Sequence, residues 1–279
     1  IALPVAEGDA LEPSLDTADV AIVLDGPSSV RARTAGVPKL VALLPWLSAR
    51  WEGGDLDADL VLVPHRGLVE DAVAAGAARD RVQVVGAIAP LGWAPADDRA
   101  ALRKNLGMRA DAPWIVVRVD VFDRDDLAPA LVQLSLVSAE PVWLFDVGLD
   151  ADFARVLRRR VLGYGLDAVM FAHGPDALGA YQAADVVLGR LEGAEAMRAF
   201  AVGASLVTPR PSREQLGLAH AIETAGLTTI ADAAATLSVT LDGALAPAAL
   251  ERARASALAL GAASGAARVA DAVRALLAE

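Results

Sequence analysis

Residues 181–209, YQAADVVLGRLEGAEAMRAFAVGASLVTP, read as one strand–helix–strand unit. Val186–Leu188 is a short apolar run entered through Asp185, and Ser205–Val207 is a second. Ala194–Val202, between them, carries a helical pattern. Strands that are apolar throughout, rather than alternately, belong to sheets covered on both faces. A strand, a helix and a second strand at this spacing form the βαβ unit of an α/β domain with a parallel sheet.

Working outward, the alternation covers nearly the whole chain. Upstream, strands are predicted at Val20–Leu24, Lys39–Leu43, Leu60–Val63 and Val82–Val85, and then at Trp114–Val119, Val142–Phe145 and Ala168–Phe171. A last one follows at Leu227–Ile230. Helices are predicted at Gly67–Ala75, Arg99–Asn105, Leu127–Val137, Ala151–Leu162, Asp176–Ala183, Ala194–Val202 and Glu214–Ala225, and from Ala231 onward the chain reads as helices only. Gly86–Asp98, GAIAPLGWAPADD, has two prolines, two glycines and no period, which marks a linker. The expected organisation is therefore a partial N-terminal Rossmann-like domain over 1–88, a linker over 89–98, and a C-terminal Rossmann-like domain with its terminal helices over 99–279. The second domain has six strands, a full doubly wound set. The first has about four, so it is expected to be incomplete, either because its opening βα units precede Ile1 or because it is reduced.

Composition excludes several function classes. The 279 residues contain no cysteine, which rules out a disulfide scaffold, a thiolate metal site and a cysteine nucleophile. The three histidines, His65, His173 and His220, are far apart, so no compact histidine metal motif exists. A net charge of −11 opposes nucleic-acid binding. Mean hydropathy is high at +0.42, yet stretches such as Leu40–Trp46 are far too short to span a bilayer. The opening IALPVAEGDA has no signal-peptide pattern, so a cytoplasmic protein is expected.

Ligands of open parallel sheets bind beyond the carboxyl ends of the strands. Four such places carry chemistry: Asp120–Asp126 (DVFDRDD), His173–Gly174–Pro175, Gly189–Glu195 (GRLEGAE) and Thr208–Gln215 (TPRPSREQ). The last two open helices, whose free N–H groups and dipole suit phosphate, and Arg190 and Arg210 add charge. Each place also has a plainer reading. His173 reads first as a turn residue, and DVFDRDD as a solvated loop with helix-start charges rather than a divalent-cation site. Arg190 is alternatively a surface ion pair with Glu192 and Glu195, and Gln215 a capping-box side chain.

The run Tyr181, Ala184–Asp185, Val186–Leu188, Arg190, Gly193, Gly203, Ser205–Val207, Pro209, Gln215, Ala219 and Gly226 resembles the donor-binding half of GT-B nucleotide-sugar glycosyltransferases. It is most similar to the lipid II-forming N-acetylglucosaminyltransferase and the diacylglycerol glycosyltransferases. Arg81–Pro90, RVQVVGAIAP, resembles the crossover between that family's domains, and the likeness extends over roughly residues 16–279. It implies a GT-B-like α/β fold of two doubly wound domains, the first incomplete. It also implies an inverting transfer from a UDP-sugar to a lipid or glycan acceptor, with no metal and no cofactor. Arg190 and the helix start at Gly193 would hold phosphate, His173 and Gly174 would lie beside the base, and Gln215 would meet the sugar hydroxyls.

The departures from that pattern are specific. The family's glycine-serine loop after the first strand of the second domain is here Arg118–Val119–Asp120–Val121, with no glycine. The expected ribose-binding glutamate falls on Arg198, a cation that accepts no hydrogen bond. Glu195, one helical turn earlier, is the substitute. No catalytic base is assigned. A non-catalytic member of the fold is the competing reading, and a sugar-nucleotide epimerase or hydrolase a third. Peripheral contact with the inner face of a membrane, through Trp46, Trp51 and the Leu40–Leu47 run, is weighed against a buried strand, which the sequence favours.

Overall fold

The computed structural model describes residues 18–44, 51, 55–90, 92–122, 125–148, 150–172, 177–191, 194–209, 211 and 216–278. The chain separates into two units, Ile1–Ile88 with Ser264–Glu279, and Ala89–Ala263.

In the first unit, β1 (Val20–Val23), β2 (Lys39–Leu43), β3 (Leu60–Val63) and β4 (Val82–Val84) form a parallel sheet in chain order. The connections include helices α1 (Gly26–Thr34) and α2 (Val69–Ala74). Side chains alternate across the pleat. Leu40, Ala42, Val61 and Val63 join a core with Ala32, Leu68 and Ala72, while Val41 and Leu62 face the other way. There they pack with Val269, Ala272 and Leu276 of α11 (Gly265–Ala278).

This grouping differs from the sequence-based division in two places. Residues from Ser264 onward belong with the first unit, and residues 89–98 with the second. The apolar stripe of α11 fits any apolar sheet face. Its destination is set by the sheet face at Val41, Leu62 and Val85, which is far away in sequence. A second departure is α1, which the sequence pattern does not reveal. Its sequence GPSSVRART has no apolar face, and its start depends on Asp25, whose carboxylate accepts the Ser28 N–H at 2.7 Å. Pro27 is tolerated because it lies in the first turn. The hydrogen bonds from Ser28 hold the Asp25 carboxyl below its ordinary range.

Leu40–Leu44 is largely buried, and Trp51 packs against the same core. The described part of the proposed membrane-contact run is thus interior; Trp46 lies outside the described residues. No helix among the described residues is long and apolar enough to cross a membrane.

The second unit contains β5 (Trp114–Arg118), β6 (Val142–Asp146), β7 (Ala168–Phe171), β8 (Val186–Leu188), β9 (Ser205–Pro209) and β10 (Thr228–Ala231). Their order is β10-β9-β8-β5-β6-β7, all parallel. Helices α3 (Arg99–Asn105), α4 (Leu127–Ser135), α5 (Ala151–Gly163), α6 (Ala177–Ala183), α7 (Ala194–Ala201), α8 (Leu216–Thr224), α9 (Leu237–Ala244) and α10 (Pro247–Leu260) complete it. The chain builds β5 to β7 in one direction, returns to the other side of β5, and builds β8 to β10 outward. This is the doubly wound order, with its reversal between β5 and β8. The sheet interior is apolar: Ile115, Val117, Trp143, Phe145, Val186, Leu188 and Val207 share one core with Leu131 and Leu134 of α4 and Leu237 and Leu241 of α9.

Asp185 fastens the reversal. Its carboxylate accepts the Trp114 N–H at 2.9 Å, Arg103 Nη2 at 2.6 Å and Arg99 Nη1 at 3.2 Å. Arg103 also donates twice to the Ala183 carbonyl. One carboxylate thus joins the amino ends of β5 and β8 to α3. Burial pulls the Arg99 guanidinium below its ordinary value, partly offset by Asp185.

Gly265 opens α11 where an added Cβ would stand 2.0 Å from the Ala87 carbonyl oxygen. Gly265→Ala should cost the first unit about 1–3 kcal/mol, read as faster hydrogen exchange at the β2 and β3 amides. Asp185→Ala leaves two enclosed guanidinium groups uncompensated and should destabilise the second unit by about 3 kcal/mol. Asp185→Asn should lose less, both followed by the fluorescence of Trp114 and Trp143 during urea unfolding.

Candidate functional site

In doubly wound folds the crevice that receives ligands lies at the carboxyl edge where the strand order reverses, which here is between β5 and β8 of the second sheet. Strand ends decide which side chains reach it. β5 ends in Arg118 and β6 in Asp146, ladder partners at the final register position. After β8 the chain turns through Gly189 to Arg190. Glu195 comes from the first turn of α7 and Arg198 from its last, Tyr181 from α6, and Trp93 from the segment before α3.

Arg118 is the hub. Its Nε and Nη2 donate to the two carboxylate oxygens of Asp120 at 3.1 and 2.7 Å. Its Nη1 donates to Asp146 at 3.2 Å and lies 3.6 Å from Glu195. The Gly148 N–H donates to the other Asp146 oxygen at 3.2 Å. Arg190 reaches across the reversal and donates to the Asp120 carbonyl at 2.7 Å. Arg198 lies 3.9 Å from Glu195 and stacks over the Trp93 ring at 5.1 Å, and Trp93 meets the edge of Tyr181. Burial works against the charge on Arg118, but its bonds to Asp120 and the fields of Asp120 and Asp146 outweigh that and hold it more firmly protonated than usual. Burial likewise opposes ionisation of Asp120, yet Arg118 and Arg190 bring its carboxyl below the ordinary range. Tyr181 is wholly buried, and burial pushes its phenol well up, with Asp146 and Glu195 adding to the shift.

Of the residues singled out from sequence, Arg190 and Glu195 are brought together around the same crevice. His173, Gly174, Gly193 and Gln215 lie outside the described residues. Among the described residues Arg190 donates to the Asp120 backbone carbonyl; Glu192, one of the two partners in the plainer ion-pair reading, lies outside them. Within DVFDRDD, the Asp120 carboxylate is committed to Arg118 rather than to solvent alone. Arg118 and Asp146 were not selected from sequence. The available signal was a charged residue at the last position of an otherwise buried strand, WIVVR and VWLFD. Such a residue stands at the carboxyl edge, but its neighbours depend on strand order.

A second hollow, of about 430 Å³, lies between Trp143, Leu134, Tyr164, Arg109 and Asp167. It opens at the amino ends of β6 and β7, opposite the crevice. Its charges are paired internally, Arg109 with Asp167 at 3.2 Å. The edge is the wrong one for a ligand of this fold.

No protein-family profile matches the chain, and no curated protein matches it. Solved structures do. Anabaena HepE, crystallised with UDP-glucose, is 15% identical with a TM-score of 0.56, over 97% of this chain and 81% of that one. A glycosyltransferase from Rickettsia africae ESF-5 is 11% identical with a TM-score of 0.59, over 100% and 84%. The UDP-GlcNAc 2-epimerase of Neisseria meningitidis, bound to UDP-GlcNAc, is 11% identical with a TM-score of 0.65, over 95% and 78%. At such identities the likeness is one of fold. The architecture is the α/β fold with two parallel sheets seen in GT-B glycosyltransferases, a fold that also serves an epimerase.

Proposed function

We propose that this chain is a UDP-sugar glycosyltransferase that transfers a sugar, N-acetylglucosamine being the first candidate, to a lipid or glycan acceptor. The observation that carries the reading is the pair of arginines, Arg118 and Arg190, at the carboxyl-edge reversal of the second sheet. A doubly wound fold receives a nucleotide's phosphates at that place. The UDP and UDP-sugar complexes of similarly folded proteins support the same donor class.

On this reading Arg190 and Gly193, which precedes α7 in the sequence, hold the diphosphate. They stabilise the negative charge that builds on the leaving group as the glycosidic bond breaks. Glu195 stands in for the ribose-binding carboxylate that Arg198 replaces, His173 and Gly174 flank the base, and Gln215 contacts the sugar hydroxyls. Fold alone does not separate transferase from epimerase. The transferase is preferred because the resemblance in residues 181–226 is to the donor half of transferases.

A second reading, a nucleotide-free member of the fold with a binding role, is favoured by one observation. Three guanidinium groups and three carboxylates share the crevice, which leaves it little net positive field to draw in an anion.

Titration calorimetry with UDP, UDP-N-acetylglucosamine and UDP-glucose tests the proposal. Micromolar affinity for UDP is expected, weakened about tenfold or more by Arg190→Ala and reduced by Gln215→Ala. Absence of binding to every nucleotide sends the assignment to the second reading. Release of free UDP from a UDP-sugar without acceptor would indicate hydrolysis instead.

A further inference from the structure

One residue in the crevice ties down both arginines. The Asp120 carboxylate takes the Nε and Nη2 edge of Arg118, at 3.1 and 2.7 Å, and its carbonyl takes Arg190 Nη2 at 2.7 Å. The remaining nitrogen of Arg118, Nη1, points inward to Asp146 and Glu195. The two aspartates differ sharply in setting. The Asp146 side chain is 1% exposed and Asp120 is 54% exposed. Asp146 is therefore a fixed counter-charge, whereas Asp120 can turn into water without stranding a buried ion.

The edge that Asp120 occupies is the one with chemical meaning. Nε and Nη2 of an arginine form a planar fork that donates to two oxygens of a carboxylate or of a phosphate in the same geometry. A second, independent feature points to a ligand. The Tyr181 hydroxyl is buried beside Arg118, under the influence of Asp146 and Glu195, and makes no hydrogen bond of good geometry among the described residues. Buried hydroxyls without partners are rare because they are costly.

We propose that Asp120 is a built-in competitor for a diphosphate: its carboxylate and carbonyl hold the Arg118 fork and the Arg190 tip that two successive phosphates would otherwise engage. A ligand with one anionic group displaces only one of these contacts. A diphosphate replaces both, so the turn at 119–121 selects for two phosphates in tandem. The inference rests on the nucleotide-sugar reading for the identity of the ligand, though not for the anion chemistry itself.

The test is calorimetry on the full chain with two probes, UDP and inorganic pyrophosphate, comparing the native protein with Asp120→Asn and Asp120→Ser. Thermal melts establish that each variant is folded, and the half-exposed side chain tolerates both changes. Removing the carboxylate should tighten both probes about tenfold, the scale of one charge-assisted bidentate contact. UDP binding that is equal or weaker in both variants overturns the competitor role and leaves the nucleotide reading standing. A gain for pyrophosphate, with UDP bound no better than pyrophosphate, upholds the competitor role and overturns the nucleotide reading. No binding of either probe to any of the chains overturns both.

Discussion

The junction of β5 with β8 is the contact on which the rest of this molecule depends. A parallel sheet built outward from the middle needs its two halves to meet side by side, and the meeting is secured at one end by the Asp185 carboxylate. With the Trp114 N–H and two guanidinium groups gathered on it, the amino ends of both strands are fixed in register. The opposite ends then have no freedom over where they place their side chains. Arg118 and Arg190 come to the same edge because Val117 pairs with Leu188, one residue before Arg118 and two before Arg190. The Asp185 ion pairs at one edge and the Arg118 cluster at the other are two ends of the same short ladder.

The crevice and the clamp use similar residues for different ends. At Asp185 the charges are enclosed, and each hydrogen bond goes to a group that cannot move away. Around Arg118 the partners are graded, from Asp146 in the interior to Asp120 at the surface. Enclosed ion pairs are poor sources of net stability, though severe losses follow when they are broken. Graded ones offer little stability at the outer rim but leave a charged fork available for exchange. That contrast, rather than the sign of the charges, separates the structural edge of the sheet from the edge suited to a ligand.

Much of this was legible in the sequence. The ten strands among the described residues lie where short apolar runs were found, because a sheet covered on both faces leaves no polar alternation to confuse the pattern. Arg190 and Glu195 could be singled out because they follow a strand and open a helix, a position that chain order alone defines. Arg118 and Asp146 could be recognised as strand-end charges, but their pairing depends on β5 and β6 being neighbours. Tyr181 stood in the sequence only as the first residue of the GT-B-like run, and its nearness to the charges around Arg118 depends on how α6 packs. Helix α1 escaped because a cap and a proline, not an apolar face, define it. The address of α11 escaped because small apolar residues describe a face but not the face it meets.

That last helix has a consequence for biosynthesis. Val41 and Leu62 belong to the early part of the chain, while Val269, Ala272 and Leu276, which cover them, are translated only after the entire second unit. The four-stranded sheet therefore waits on the ribosome with one apolar side bare, for the time taken to make some 175 intervening residues, Ala89 to Ala263. The later unit has every strand it needs before the earlier one is closed. Folding order and sequence order are thus inverted, and the nascent first sheet is the surface that a chaperone would meet.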